Sequence, residues 1–258
     1  MTIRHLFRHL SAAVLLFAVT AGAALAESPL AGAYKAVGKT AEGLAYGGQV
    51  EIAPQGRGIK LAWTLDRDAG YSGRGFQLDD VLGSVYWSET EHFNDPGVVI
   101  YRIDGGKLQG MWMPQGGPND VLGREDLLGP ASLEGRFQII LGEHPGGRSY
   151  YTGYVDVDRR GDTYYFHWYA PNDSYVGNGI RVGNIMVVGY AIGRAPGTAA
   201  YCIREGKLDG TWAYGEDPRL GRETLLRQSD VSVPGPSAGP GSECIPTIAM
   251  EWAPESHD

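Results

Sequence analysis

The sequence predicts an all-β protein of two tandem eight-stranded antiparallel up-and-down barrels. Three observations predict it. Apolar residues recur with a period of two, Gly and Tyr are abundant at 39 and 15 of 258 residues, and the chain repeats itself once at a spacing of about a hundred residues. Alternation gives half-buried strands, Gly gives tight turns, and a repeat of that length is a domain-sized unit.

The chain opens with Arg4 and Arg8, continues through the apolar run SAAVLLFAVTAGAAL and reaches Ala24-Leu25-Ala26. This pattern predicts a secretory signal peptide over 1–26, with the mature chain starting at Glu27. The expected location is periplasmic or secreted, without a membrane span. Loss of the leader leaves 20 basic residues against 30 acidic ones, a formal charge of −10. That field disfavours nucleic acid and anionic membranes as partners.

The repeat then organises the rest. Gly32-Ala-Tyr34 aligns with Gly135-Arg-Phe137, and Tyr46-Gly-Gly-Gln-Val50 with Tyr151-Thr-Gly-Tyr-Val155. Trp63 meets Trp168, Gly97-Val-Val-Ile-Tyr101 meets Gly197-Thr-Ala-Ala-Tyr201, and GKLQGMW at 106–112 meets GKLDGTW at 206–212. Gly123-Arg-Glu125 and Gly221-Arg-Glu223 close the copies. The expected domains are a first barrel repeat over 27–130, a second over 131–228 and a Pro/Gly/Ser-rich tail over 229–258. Each copy holds about eight strand segments, in the first near 31–37, 45–54, 58–65, 71–78, 81–88, 97–103, 107–113 and 121–128. Short connections favour a meander that closes and so removes its edges. Paired β-sandwiches are the alternative, because strand counting does not see closure. Leu128 to Ser132 is the expected protease-sensitive joint between halves.

Signal peptide, eight meandering strands, Gly-x-aromatic on the first strand and Arg near the last (Arg124, Arg222) resemble the lipocalin and avidin group of calycin-like barrels. In that group a first-strand Trp packs beneath a late Arg; here Tyr34 or Phe137 takes the Trp position. The fuller pattern, G-x-Y, Y-x-G-x-V-x-I, W, G-x-G, G-x-L-x-G-x-W and G-x-E-x-L, is similar to a set of uncharacterised bacterial secreted β-repeat proteins. Some of those carry a fibronectin-binding label, which implies a partner in the host extracellular matrix.

Candidate sites follow from strand phase. Trp63, Tyr101, Trp112, Trp168, Tyr201 and Trp212 lie on the apolar face, as core or as the lining of an open cavity. On the outer face the second copy alone is aromatic, with Tyr150, Tyr154, Tyr165, His167 and Tyr169. These form either the barrel–barrel junction or a surface for a protein or glycan. Glu89, Glu91, His92 and Asp95, in an insertion of the first copy, are candidate metal ligands beside the simpler reading of a solvated acidic loop. Glu125 and Glu223 recur at equivalent places and would form a hydrolytic pair only by meeting across the junction. Cys202 points away from the inward Tyr201 and Ile203, so an oxidising compartment would join it to Cys244 and strap the tail, with its Ile245, Ile248, Met250 and Trp252 cluster, to the second barrel. No nucleophile elbow, zinc-protease helix or phosphate loop is present, and no cofactor is implied. The expected function is an exported, non-enzymatic binding or structural protein. Its alternatives are a small-ligand carrier using a barrel interior and a hydrolase or metal-dependent enzyme at the acidic rim.

Overall fold

The computed structural model describes residues 29–66, 70–116, 121–170, 173–228 and Cys244. The expected signal peptide and the Trp252 cluster lie outside them. The described chain is all-β, with sixteen strands. The first eight are β1 (Gly32–Lys39), β2 (Ala45–Gln55), β3 (Gly58–Leu65), β4 (Tyr71–Leu78), β5 (Val81–Ser88), β6 (Asn94–Asp104), β7 (Lys107–Pro114) and β8 (Gly123–Leu128). The second eight are β9 (Gly135–Glu143), β10 (Tyr154–Arg160), β11 (Thr163–Tyr169), β12 (Ser174–Val182), β13 (Ile185–Ile192), β14 (Gly197–Arg204), β15 (Lys207–Ala213) and β16 (Gly221–Arg227). No helix among the described residues is long and apolar enough to cross a membrane.

All strand pairs are antiparallel, and they close into two eight-stranded barrels rather than paired sandwiches. The barrels do not coincide with the repeats. One barrel runs β1-β16-β15-β14-β5-β4-β3-β2 and the other β10-β11-β12-β13-β6-β7-β8-β9. The second barrel is therefore a continuous meander of β6 to β13, inserted between β5 and β14 of the first. The expected boundary near 130 is corrected: 129–134 is the turn of the β8–β9 hairpin, where Leu128 faces Gln138. The chain passes between barrels at 88–94 and 192–197 instead. Because β6–β8 and β14–β16 carry the same sequence pattern, either set fits either barrel, and local alternation does not distinguish the pairings.

The interiors are filled at one end by ordinary alternating apolar residues. Val50, Ile52, Leu61, Leu82, Leu208 and Leu225 pack in the first barrel, and Val155, Val157, Phe137, Phe166, Leu108 and Leu127 in the second. A third cluster joins the outer faces of the two barrels. Phe76, Val81 and Val85 of one barrel and Ala200 and Cys202 beside them pack against Ile100, Met113, Ile180, Ile185 and Val187 of the other. This is why β5, β6, β13 and β14 read as nearly unbroken buried runs, with both faces covered. Gly58 and Gly83 mark close approaches: a Cβ on Gly58 would lie 2.4 Å from Met113 Cε, and one on Gly83 2.7 Å from both Ile100 Cδ1 and Val187 Cγ1. The apolar core of the junction thus contains none of the outer Tyr residues.

Two further expectations meet the structure here. Cys202 and Cys244 form a disulfide with Cα atoms 5.8 Å apart. Cys202 lies outside its own barrel, as strand phase requires, yet it is buried because that face is the junction. The first-strand aromatic Tyr34 does lie beneath an Arg, at 5.8 Å, but the Arg is Arg227 and not Arg222. Arg227 also donates to the carbonyl oxygens of Pro29 and Ala31, pinning the start of β1 to the end of β16.

Candidate functional site

Each barrel interior opens at one end into a half-open cavity, of about 300 Å³ in the first barrel and about 550 Å³ in the second. Both are built on the same plan. The floor is a buried glutamate from the last repeated strand, Glu223 on β16 or Glu125 on β8, 5% and 3% exposed. Around Glu223, Trp63 Nε1 donates at 3.2 Å, Tyr201 Oη at 2.7 Å and Tyr46 Oη at 3.0 Å. Around Glu125, Trp168 Nε1 donates at 3.0 Å, Tyr151 Oη at 2.9 Å, and Tyr101 Oη closes the set. The repeat has copied a whole hydrogen-bonded unit.

The repeated glycines make this unit possible. Tyr101 lies directly opposite Gly110 and Tyr201 opposite Gly210 in the strand register. A Cβ on Gly110 would come within 2.4 Å of the Tyr101 ring, and one on Gly210 within 2.3 Å of Tyr201. The same holds one strand further on, where Trp112 covers Gly123 and Trp212 covers Gly221 at 2.3 and 2.2 Å. Each aromatic ring is laid flat over a bare backbone on the neighbouring strand, which aims its polar edge inward. The near-identical GKLQGMW and GKLDGTW segments supply that bare backbone and the Trp together.

Strand alternation separates the glutamates from their neighbours. Arg222 and Arg124 occupy the opposite phase, and Asp126 faces outward near Lys107 at 3.6 Å. Burial pushes both carboxyls above the usual carboxylate range, opposed by the hydrogen bonds from Tyr201, Trp63 and Tyr46 at Glu223 and from Tyr101, Trp168 and Tyr151 at Glu125. The donor directions still favour the charged form. An indole N–H only donates, and Tyr46, which accepts from Trp212 Nε1 at 2.8 Å, has its own hydrogen free for Glu223. Burial, then the Glu223 charge, pushes the Tyr46 phenol far above its ordinary value, so it remains a neutral donor.

Of the six residues expected to line an open cavity, five do so, in a grouping that follows the barrels and not the repeats. Trp63, Tyr201 and Trp212 line the first cavity, and Trp112 and Trp168 the second. Tyr101 sits beneath the second cavity, fully buried against Glu125. The sequence reading missed Tyr46, Tyr71 and Tyr86 in the first cavity and Tyr151, Tyr175 and Tyr190 in the second. Their recurrence at offsets of 104 and 105 was the signal that could have found them. The mouths differ: Thr40 on one side corresponds to His144 on the other, and Asp95 and Asp173 are added to the second.

The other candidates disperse. Glu91 pairs with Arg194 at 3.0 Å and Asp95 accepts from Tyr175 Oη at 2.8 Å. Among the described residues no three His, Cys, Asp or Glu side chains gather to hold a metal, so the 89–95 cluster is not a metal centre. Glu125 and Glu223 lie in separate cavities and form no hydrolytic pair. The outer aromatic set does assemble, as a ladder on β10 and β11. Tyr154 stacks on Tyr169 at 4.6 Å, His167 lies 4.0 Å from Tyr169, and Arg136 and Arg160 cover Tyr154 and Tyr165 at 3.8 Å each. Tyr150 stands apart in the preceding loop, 67% exposed. The ladder lies outside the apolar junction on β4–β7 and β12–β15 and meets the first barrel at its end, where Arg160 pairs with Glu216 at 2.6 Å. Compared with protein-family models, curated proteins and solved structures, the chain finds no match.

Proposed function

We propose that the protein is an exported, non-enzymatic binding protein that holds a small ligand in each barrel interior. The observation that carries this reading is the pair of open cavities, each lined by Trp and Tyr over a single buried glutamate. A concave, mostly apolar space with a few converging polar groups is the usual form of a small-ligand site. The separation of the two carboxylates favours binding over hydrolysis. Export is supported by the leader pattern of 1–26 and by the Cys202–Cys244 disulfide, which belongs in an oxidising compartment. The likeness to lipocalin and avidin barrels agrees with an interior site.

Tryptophan emission tests the reading directly, since Trp63, Trp212, Trp112 and Trp168 line the cavities. Titration with phenyltrimethylammonium and, separately, with its uncharged isostere tert-butylbenzene should give a saturable change with at least one of them. An emission spectrum indifferent to both removes the reading.

A further inference from the structure

We infer that each interior is a site for an organic cation, an amine or quaternary ammonium, whose charge rests against Glu223 in the first barrel and Glu125 in the second, within a cage of aromatic rings. The inference rests on the reading that the interiors take ligand, and it names the ligand's chemistry.

The first cavity makes the case most simply. Its described lining contains one acidic residue, Glu223, and no Lys, Arg or His. The carboxylate is taken out of water and receives three neutral donors, but no positive charge answers it. Such a group is strongly disfavoured unless something pairs with it. A neutral ligand would seal the carboxylate in without a partner, and an anion would be repelled. An inorganic divalent ion would find a single carboxylate where it needs several oxygen ligands. An organic cation satisfies both halves of the lining: its charge faces Glu223, and its carbon substituents meet the faces of Trp63, Trp212, Tyr71 and Tyr86, which attract cations through their ring quadrupoles. Tyr214 adds a cavity-lining hydroxyl that has no hydrogen-bond partner among the described residues.

The second cavity repeats the plan around Glu125. Its mouth adds Asp95 and Asp173 beside His144, so its lining holds three carboxyl groups and no Lys or Arg. Its larger volume accommodates a bulkier or longer cation.

The experiment compares phenyltrimethylammonium with tert-butylbenzene on the full chain, by tryptophan emission and by calorimetry. The charged probe should bind tighter by about 30-fold, the effect of a desolvated cation–π contact. Substituting Glu223→Gln and Glu125→Gln together keeps the side-chain shape and an acceptor for each indole. It should weaken the cation by about 30-fold or more while leaving tert-butylbenzene bound at least as well. Retained binding of the neutral probe reports an intact fold, and the comparison of probes on the unmodified chain stands even if the variant misfolds. Equal or better binding of tert-butylbenzene by the unmodified chain overturns the cation assignment and leaves the binding reading standing. Cation binding that survives both substitutions also overturns it. Binding of neither probe overturns both.

Discussion

Glu223 on β16 accepts a hydrogen bond from Trp63 on β3 at 3.2 Å, although 160 residues separate them. The contact exists because the second barrel is inserted whole between β5 and β14, so the first barrel closes only when the end of the chain returns to its beginning. Both cavities are consequently assembled from both repeats, the first from the two ends of the chain and the second from the continuous stretch of β6 to β13.

This topology predicts what a cut at the centre of the sequence does. Cleavage between Gly129 and Ser132 opens one hairpin turn of the second barrel and leaves the strand pairing of β1 with β16 and β13 with β6 in place. The nicked protein should elute as a single particle in native buffer and separate only in denaturant. Two folded halves that part on a sizing column would restore the one-repeat, one-barrel arrangement.

The buried glutamates predict a pH dependence. Burial raises the Glu223 carboxyl above its ordinary value of 4.5, so the folded state binds this proton more tightly than the unfolded state. The resulting stability is fully present below about 4.5 and is lost as pH rises through the folded value, at about 1.4 kcal/mol for each unit of displacement. The phenols facing it, Tyr46 and Tyr201, are pushed upward and stay neutral throughout. Urea unfolding of the ligand-free protein at pH 4.5 and 7.5 should show Glu223→Gln losing less stability than the unmodified chain over that interval. Parallel curves would mean that the carboxyl is not penalised by burial.

The disulfide predicts a redox-dependent stability. A link across 42 residues constrains the unfolded chain by about 4 kcal/mol at most. Replacing both Cys202 and Cys244 by Ala should lower the unfolding free energy measured in urea by up to about 4 kcal/mol and abolish the effect of reductant. A midpoint indifferent to reductant in the unmodified chain would show that the bond does not form or does not constrain folding.

Much of the fold was legible in the sequence. Period-two alternation located the strands, and the seven-residue repeat identified the inward Trp112 and Trp212. Closure partners were not legible, because β8 and β16 offer the same pattern to β1 and β9. The buried runs Val81–Tyr86 and Ile185–Ala191, which scarcely alternate in sequence, did carry the signal for a face buried between barrels, since solvent-facing strands would alternate. The glutamates were visible as repeated residues but not as a site. Their partners arrive from distant strands, and a carboxylate at the end of a strand looks the same in sequence whether it meets water or three buried donors.

In this reading a ligand's charged group sits inside each barrel, between residues of both repeats. Intermolecular nuclear Overhauser effects between the N-methyl protons of phenyltrimethylammonium and the protein's aromatic protons test it most directly. Simultaneous contacts to Trp63 from the first repeat and Trp212 from the second are expected, with a matching set to Trp112 and Trp168 in the other barrel. Contacts confined to Tyr154 and Tyr169 on the outer ladder, with the interior rings silent, would contradict it.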